Sequence, residues 1–292
     1  MRDTRPTSSG GETAAARHVA VSYSSDDEWA GHLVTFVRAG LDRGEQVQYF
    51  ADATDPDRVT HVLTEHGVDA AGALRRGQLL VTTAGETYLA GSGFDPESMI
   101  GLWQQAVDGA AAEGYRNLRV IGEMSWGTRR IPGADRLLEY EMRIHHEVFE
   151  RLPLTAWCFY DRRLFPGDAL AALAAAHLNC ADGAAGGVGV PALSATPLAD
   201  RPGFRLSGAG GYESRRVAAA AAASLAASPA TDLVLDLSDL DHLDVAAVAE
   251  IARAARGRPA TSPVRILNAP PAFHRVLELF PELGAGLEEV GA

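Results

Sequence analysis

The sequence predicts an α/β protein built as two units: a larger one, a mostly parallel sheet with helices on both faces, and a smaller α/β unit behind it. Three observations carry this. Apolar runs of strand length alternate with amphipathic runs of helix length up to about residue 180, which is the pattern of βαβ units. The same alternation recurs on a smaller scale after residue 196. Between the two lies 181–195, ADGAAGGVGVPALSA, which is rich in Gly and Ala and has no hydrophobic period, as a linker does.

In the front unit the strands are expected at 19–21, 47–50, 79–82, 118–121 and 155–159, and the helices at 26–42, 56–66, 96–114, 134–150 and 167–178. The first helix is the best defined. Trp29, Leu33, Phe36, Val37 and Leu41 recur at spacings of three and four, so they share one face. Arg43-Gly44 supplies its stop signal. In the rear unit 204–206 reads as a strand, 213–227 as an Ala-rich helix, 231–240 as an apolar strand and 244–256 as a helix, followed by a strand at 263–267 and a helix at 270–279. Residues 1–16 are polar, lack an apolar core of signal-peptide type and read as a disordered tail. This divides the chain into 1–16, 17–180, 181–195 and 196–292.

The turn after the first strand is Ser24-Ser25-Asp26-Asp27-Glu28. A phosphate loop occupies this place in nucleotide-binding α/β proteins. It needs glycines, so that backbone N–H groups converge, and a lysine to neutralise the phosphates. This turn has neither, and its three consecutive carboxylates repel a triphosphate. Ser25 and Glu28 instead fit the Ser-x-x-Glu capping box, and acidic residues suit the positive end of a helix dipole.

The stretches HVAVSYSSDDEW, AGLDRGEQVQYFAD, LRRGQLLVTTAGETYL, FDPESMIGLWQQAV, EGYRNLRVIGEMSW, LLEYEMRIHHEVF and LTAWCFYDRRLF run in order through residues 17 to about 178. Together they resemble a MEDS domain, the sensory domain found in a regulator of dichloromethane metabolism and in many other bacterial regulators. The resemblance implies a RecA/KaiC-like core with a degraded phosphate loop, used for sensing or binding. Ligands of open α/β sheets bind at the carboxyl ends of strands. Tyr23, Glu123, Trp126, Tyr160 and Asp161 fall there, and His18 opens the first strand. His18, Tyr23, Glu123, Trp126 and Tyr160 are therefore the candidate ligand residues, a carboxylate with aromatic neighbours suited to a small polar or cationic ligand. The bland alternative makes the aromatics rim packing and Glu123 a cap or ion-pair partner.

Metal chemistry has candidates in His145, His146, His177, Cys158 and Cys180, but no C-x-x-C or H-E-x-x-H spacing. Adjacent histidines on a helix point about 100° apart, and Cys158 sits in an apolar strand as a small hydrophobe would. No metal or cofactor is expected, and nothing in the spacing brings Cys158 near His177 as a nucleophilic pair.

In the rear unit, TDLVLDLSDLDHLDVAAVAEIARAARG and PVRILNAPPAFHRVLELFPEL resemble a STAS domain, the fold of anti-sigma factor antagonists. In that family a partner kinase phosphorylates a serine at the start of the helix after the strand, placing charge at a docking surface. Here that place reads Asp244-Val245-Ala246-Ala247. The Asp can cap the helix, but no hydroxyl follows it. Ser238 lies six residues earlier, expected in a loop. Asp236, Ser238, Asp244, Val245 and Ala246 are the candidate partner surface. The implied partner is an anti-sigma factor of the histidine-kinase-like ATPase type. Homodimerisation, or packing on the front unit, is the structural alternative.

Composition narrows the function classes. The net charge of -12 argues against a broad basic surface for nucleic acid, although Arg129-Arg130 forms a local basic pair. No apolar run is long enough to cross a bilayer. Two cysteines make no disulfide framework, which suits a reducing cytoplasm. The expected function is a non-catalytic cytoplasmic signalling regulator that senses a small molecule or a partner. The alternatives are a diverged nucleotide-binding enzyme or hydrolase with Glu123 as base, and a structural scaffold.

Overall fold

A computed structural model describes residues 17–91, 93–181 and 190–290. The expected tail at 1–16 and most of the expected linker at 181–195 lie outside them. Six parallel strands form the front sheet: β1 (His18–Tyr23), β2 (Gln46–Ala51), β3 (Leu79–Thr83), β4 (Leu118–Glu123), β5 (Leu154–Asp161) and β6 (Asn179–Ala181). Their order across the sheet is β3-β2-β4-β5-β1-β6, with every pair parallel. The α-helices between them are α1 (Asp26–Asp42), α2 (Pro56–Glu65), α3 (Ala70–Arg75), α4 (Pro96–Ala112), α5 (Leu137–Ile144) and α6 (Gly167–Ala175).

Strand alternation sorts the core into two layers. Ala156, Cys158 and Tyr160 of β5 join Ala20 of β1 and Val120 of β4 in one cluster with residues of α4, α5 and α6. Phe159, together with Val19, Val21 and Tyr23 of β1, packs on the other face against α1 and α2. The helix expected over 134–150 is three pieces: a 3₁₀ turn (Ala134–Arg136), α5, and a π-helical turn (His145–Phe149). Such π-helical turns recur at functional sites.

The rear unit has a mixed five-stranded sheet of β7 (Leu193–Pro197), β8 (Gly203–Gly210), β9 (Leu233–Leu243), β10 (Val264–Leu267) and β11 (Leu287–Glu289), ordered β11-β10-β9-β8-β7. Only β7 runs antiparallel to its neighbour among the described strands. Its helices are α7 (Arg215–Ala227), α8 (Val245–Arg256) and α9 (Pro271–Leu279). The end strands β6, β7 and β11 were not anticipated; each is five residues or shorter.

The two units share a core. Met142 of α5, with Ala172 and Ala176 at α6, is buried in the same apolar cluster as Ala221, Leu225, Leu235 and Val248 of the rear unit. Ser224 on α7 donates its hydroxyl to the carbonyl of Glu139 at 3.3 Å. His146 contacts the carbonyl of Gly203 through Nε2 at 3.1 Å. Gly203 has φ +135°, and a Cβ there would lie 1.9 Å from the carbonyl oxygen of Val234, so only glycine lets β8 approach β9 at this point.

Candidate functional site

At the carboxyl end of the front sheet, Glu123 closes β4 with its side chain buried. One carboxylate oxygen accepts from the hydroxyl of Tyr49 at 2.5 Å. The other accepts from the backbone N–H groups of Asp52, Ala53 and Thr54 at 2.7, 2.8 and 3.0 Å. Tyr49 in turn accepts from the indole N–H of Trp29 at 3.0 Å. Glu123 therefore does not reach out to a ligand: its lone pairs hold the loop after β2 on the end of β4. The same loop is tied down by Asp52, which accepts from the hydroxyl of Ser125 at 2.6 Å and pairs with Arg129. Arg129 is thus an internal partner.

The turn after β1 is self-capped. Ser25 accepts from the N–H of Glu28 at 3.2 Å, as the capping box requires. The return bond differs from expectation: Glu28 accepts from the N–H and hydroxyl of Ser24, at 2.7 and 3.0 Å, and not from Ser25. These bonds hold the Glu28 carboxyl below the usual range. Asp26 is flanked by Arg58 at 2.7 Å and Arg163 at 3.0 Å, which lower its pKa. The turn is therefore less repulsive than its three carboxylates suggest, because one is neutralised by arginines from elsewhere in the fold.

The five candidate ligand residues do not line one pocket, because neighbouring residues of a strand point to opposite faces. Tyr23 packs edge-on to Phe159 in the α1 layer, with ring centroids 5.8 Å apart. Trp126 lies in the α4–α5 layer, with Phe94 at 4.5 Å. Asp161 is bound by the guanidinium of Arg163 at 2.7 Å. Only His18 and Tyr160 come together, in a polar cluster inside the α5–α6 layer. There His18 Nε2 is 3.2 Å and His177 Nε2 3.5 Å from Glu141 Oε2. Cys158 Sγ lies 3.6 Å from His18 Nε2 and 3.8 Å from Glu141 Oε2. Tyr160 donates its hydroxyl to Glu141 Oε1 at 2.8 Å. Burial pushes the Glu141 carboxyl and the Cys158 thiol up, and the His18 imidazole down. It takes His177 to about 3.

Cys158 and His177, which nothing in the sequence places together, are thus members of one constellation. The missed member is Glu141. Its signal was present in LLEYEMRIHHEVF, where an acidic residue stands four positions after Leu137 and three before Ile144, on the apolar face of the helix.

Cys158 also borders a small aromatic cavity of about 20 Å³, lined by Phe50, Tyr88, Phe94, Trp103, Trp126, Tyr140, Ile144 and Phe149 among others. That is room for little more than one water-sized group. Tyr140 and Ile144 come from α5, whose Met142 belongs to the core of the rear unit.

In the rear unit, β9 runs unbroken to Leu243, so Ser238 is a strand residue rather than part of a loop. Asp236 does not face a partner. It is buried, accepting from Arg205 at 2.8 Å, from Asn268 at 3.0 Å and from the N–H of Ser238 at 3.0 Å. Asp244 caps α8 by accepting from the N–H of Ala247 at 2.8 Å. Ser238, Val245 and Ala246 are exposed. The open part of the candidate surface is therefore the start of α8 and the adjacent strand.

The parallel sheet with two helical layers, followed by a mixed sheet with an N-capped α8, defines a two-part α/β protein. The family described as MEDS, the methanogen/methylotroph DcmR sensory domain, matches residues 17–178, more than half of the chain, and the chain belongs to it. The family described as "Mlab, STAS domain" matches residues 199–281. The chain is similar to the transcriptional repressor DcmR of Methylorubrum extorquens, with 26% identity over 161 residues, covering 53% of this chain and 56% of the repressor. The chain thus spans little more than half the length of that relative. The domain pairing and this similarity mark a signalling regulator. Among the described residues no helix is long and apolar enough to cross a membrane.

Proposed function

We propose that the protein is a cytoplasmic, non-catalytic regulator in which the front domain senses a small ligand and the STAS-like domain passes the state to a regulatory protein. The observation that supports this most is the double role of α5. Tyr140 and Ile144 line the aromatic cavity, while Met142 lies in the core of the rear unit. A ligand that favours one position of α5 changes the surface offered by the rear unit, as linkage requires. The apolar lining and small size of the cavity disfavour a nucleotide, and an apolar ligand would enter it only as α5 or its aromatic neighbours shift. The self-capped turn and the fully engaged Glu123 support a degenerate phosphate site and argue against a hydrolase that uses Glu123 as base.

The start of α8 lacks the serine that a kinase would modify. The relay then works by ligand-dependent docking, with an anti-sigma factor of the kinase-like type as the expected partner. Since the relative is a transcriptional repressor, the output is regulation of transcription, here through a protein partner rather than through DNA.

A thermal-denaturation screen of the full chain with halocarbons, small metabolites and nucleotides tests the reading. Pull-downs with and without the best stabiliser follow. The expected result is stabilisation by a small apolar compound and ligand-dependent capture of a kinase-like or sigma-related protein, weakened by Ala246→Asp. Nucleotide turnover abolished by Glu123→Gln would establish the enzyme reading instead. A fixed oligomer that no compound stabilises would establish a scaffold.

A further inference from the structure

The cluster around Glu141 carries a consequence that the sensing reading does not need. His18, Glu141, Cys158 and His177 are all buried, and one ligand-type atom from each lies within 4.8 Å of the others. His177 Nδ1 is 2.8 Å from the carbonyl of Leu173. A carbonyl only accepts, so the ring proton is on Nδ1 and the neutral ring's Nε2 carries a bare lone pair. That Nε2 has no hydrogen-bond donor and is aimed at an oxygen of Glu141, itself an acceptor. Cys158 Sγ and His18 Nε2 converge on the same oxygen. The Cys158 thiol and a His18 Nε2–H can each donate to that oxygen, but His177 Nε2 is left facing it with no donor of its own. Lone pairs buried together in this way are costly without a positive centre among them.

The geometry points to a divalent transition-metal ion of zinc's class held by His18 Nε2, His177 Nε2, Cys158 Sγ and Glu141 Oε2. Metal–ligand bonds of zinc with N, O and S imply a tetrahedron with edges of about 3.3–3.8 Å. Four of the six edges, at 3.2, 3.5, 3.6 and 3.8 Å, lie near that spacing, and the two from His177 Nε2 to His18 and Cys158 are within 4.8 Å. One thiolate, one carboxylate and two imidazoles suit a borderline-soft ion. A thiolate and a carboxylate also balance a dication, so the filled site is neutral, as a buried site should be. The thiol and any carboxyl proton leave to solvent as the ion enters.

Outer contacts of the usual kind hold two of the ligands, His177 by the carbonyl of Leu173 and Glu141 by the hydroxyl of Tyr160, while His18 Nδ1 has no hydrogen-bond partner among the described residues. His18 is held by stacking on Phe149 at 4.5 Å. The ion so held pins α5 and the turn after α6 to β1 and β5.

The test uses the full chain, purified without chelator from zinc-supplemented cells and analysed by elemental mass spectrometry. A second sample is unfolded, stripped and refolded with cobalt(II). The expected results are one zinc per chain, visible bands of tetrahedral cobalt and a near-ultraviolet thiolate-to-cobalt charge-transfer band. Cys158→Ser should abolish the charge-transfer band, and Tyr160→Phe should weaken metal affinity about 10–100-fold. If Cys158→Ser does not fold, the wild-type cobalt spectrum decides alone. Wild-type protein that holds zinc far below one per chain and shows no charge-transfer band overturns the proposal. So does a charge-transfer band that survives in Cys158→Ser. Metal bound without that band also overturns it, since it would come from the sulfur-free group His145, His146 and Glu150.

Discussion

The carboxylate of Glu123 shows how much one buried side chain can organise. It receives one hydroxyl and three backbone N–H groups, and bonds to a charged acceptor are the strong ones, at about 1.5–3 kcal/mol each. Glu123→Gln removes the charge: its amide oxygen can keep the loop N–H groups, but its NH2 then faces the Tyr49 hydroxyl, which loses its acceptor, and the change is expected to cost about 2–4 kcal/mol. Tyr49→Phe removes one bond and should cost about 1–3 kcal/mol, leaving the loop amides engaged. Urea denaturation of the two variants checks the order. His145 provides a pH-dependent test. Burial first, then His146 and Arg17, lower it from 6.5 to about 4. A depressed histidine favours the folded state above its unfolded pKa, and that contribution is lost as pH falls from about 6.5 towards 4. The urea midpoint of His145→Gln should therefore fall less than that of wild type between pH 7 and pH 5. An equal fall in both proteins would contradict the assignment.

The helices and their caps set the next level. Asp244 caps α8 through the N–H of Ala247, so Asp244→Ala should cost about 1 kcal/mol in urea denaturation. Most of the elements were legible in the sequence. The three-and-four spacing of Trp29, Leu33 and Phe36 and the apolar run of β9 are local signals, and they place α1 and β9 without reference to the rest of the chain. The edge strands β6 and β11 were not legible, because at three residues each they carry no period. The candidate site was legible only in part. His18 and Tyr160 were marked by type and position, but convergence of Glu141, Cys158 and His177 depends on how α5 and α6 sit on the sheet. Sequence distances of 17 and 123 residues to Glu141 hide it. Asp236 and Glu123 misled for the opposite reason. An acidic residue at a strand end looks available until the donors that reach it from other segments are known.

At the scale of the whole molecule, the shared core joins the two domains, and they are expected to unfold together. Met142→Ala removes most of a buried side chain between them and should cost about 2–4 kcal/mol. Calorimetry should show the loss in both domains together or a split into two transitions, and a front domain that melts unaffected would contradict the coupling. A front domain cut after residue 181 would bare Met142, Ala172 and Ala176. It is expected to bind a hydrophobic dye that the full chain does not, since an exposed apolar patch of that kind recruits such probes. Contact between Met142 Sδ and the hydroxyl of Ser224, at 3.9 Å, extends this to inheritance. The pair of domains cannot be traded piecemeal in evolution, as beads on a string can. A lineage that replaces its rear domain must also refit positions 142, 172, 176 and 224, so these should co-vary among relatives that keep both domains and drift freely in those that have lost one.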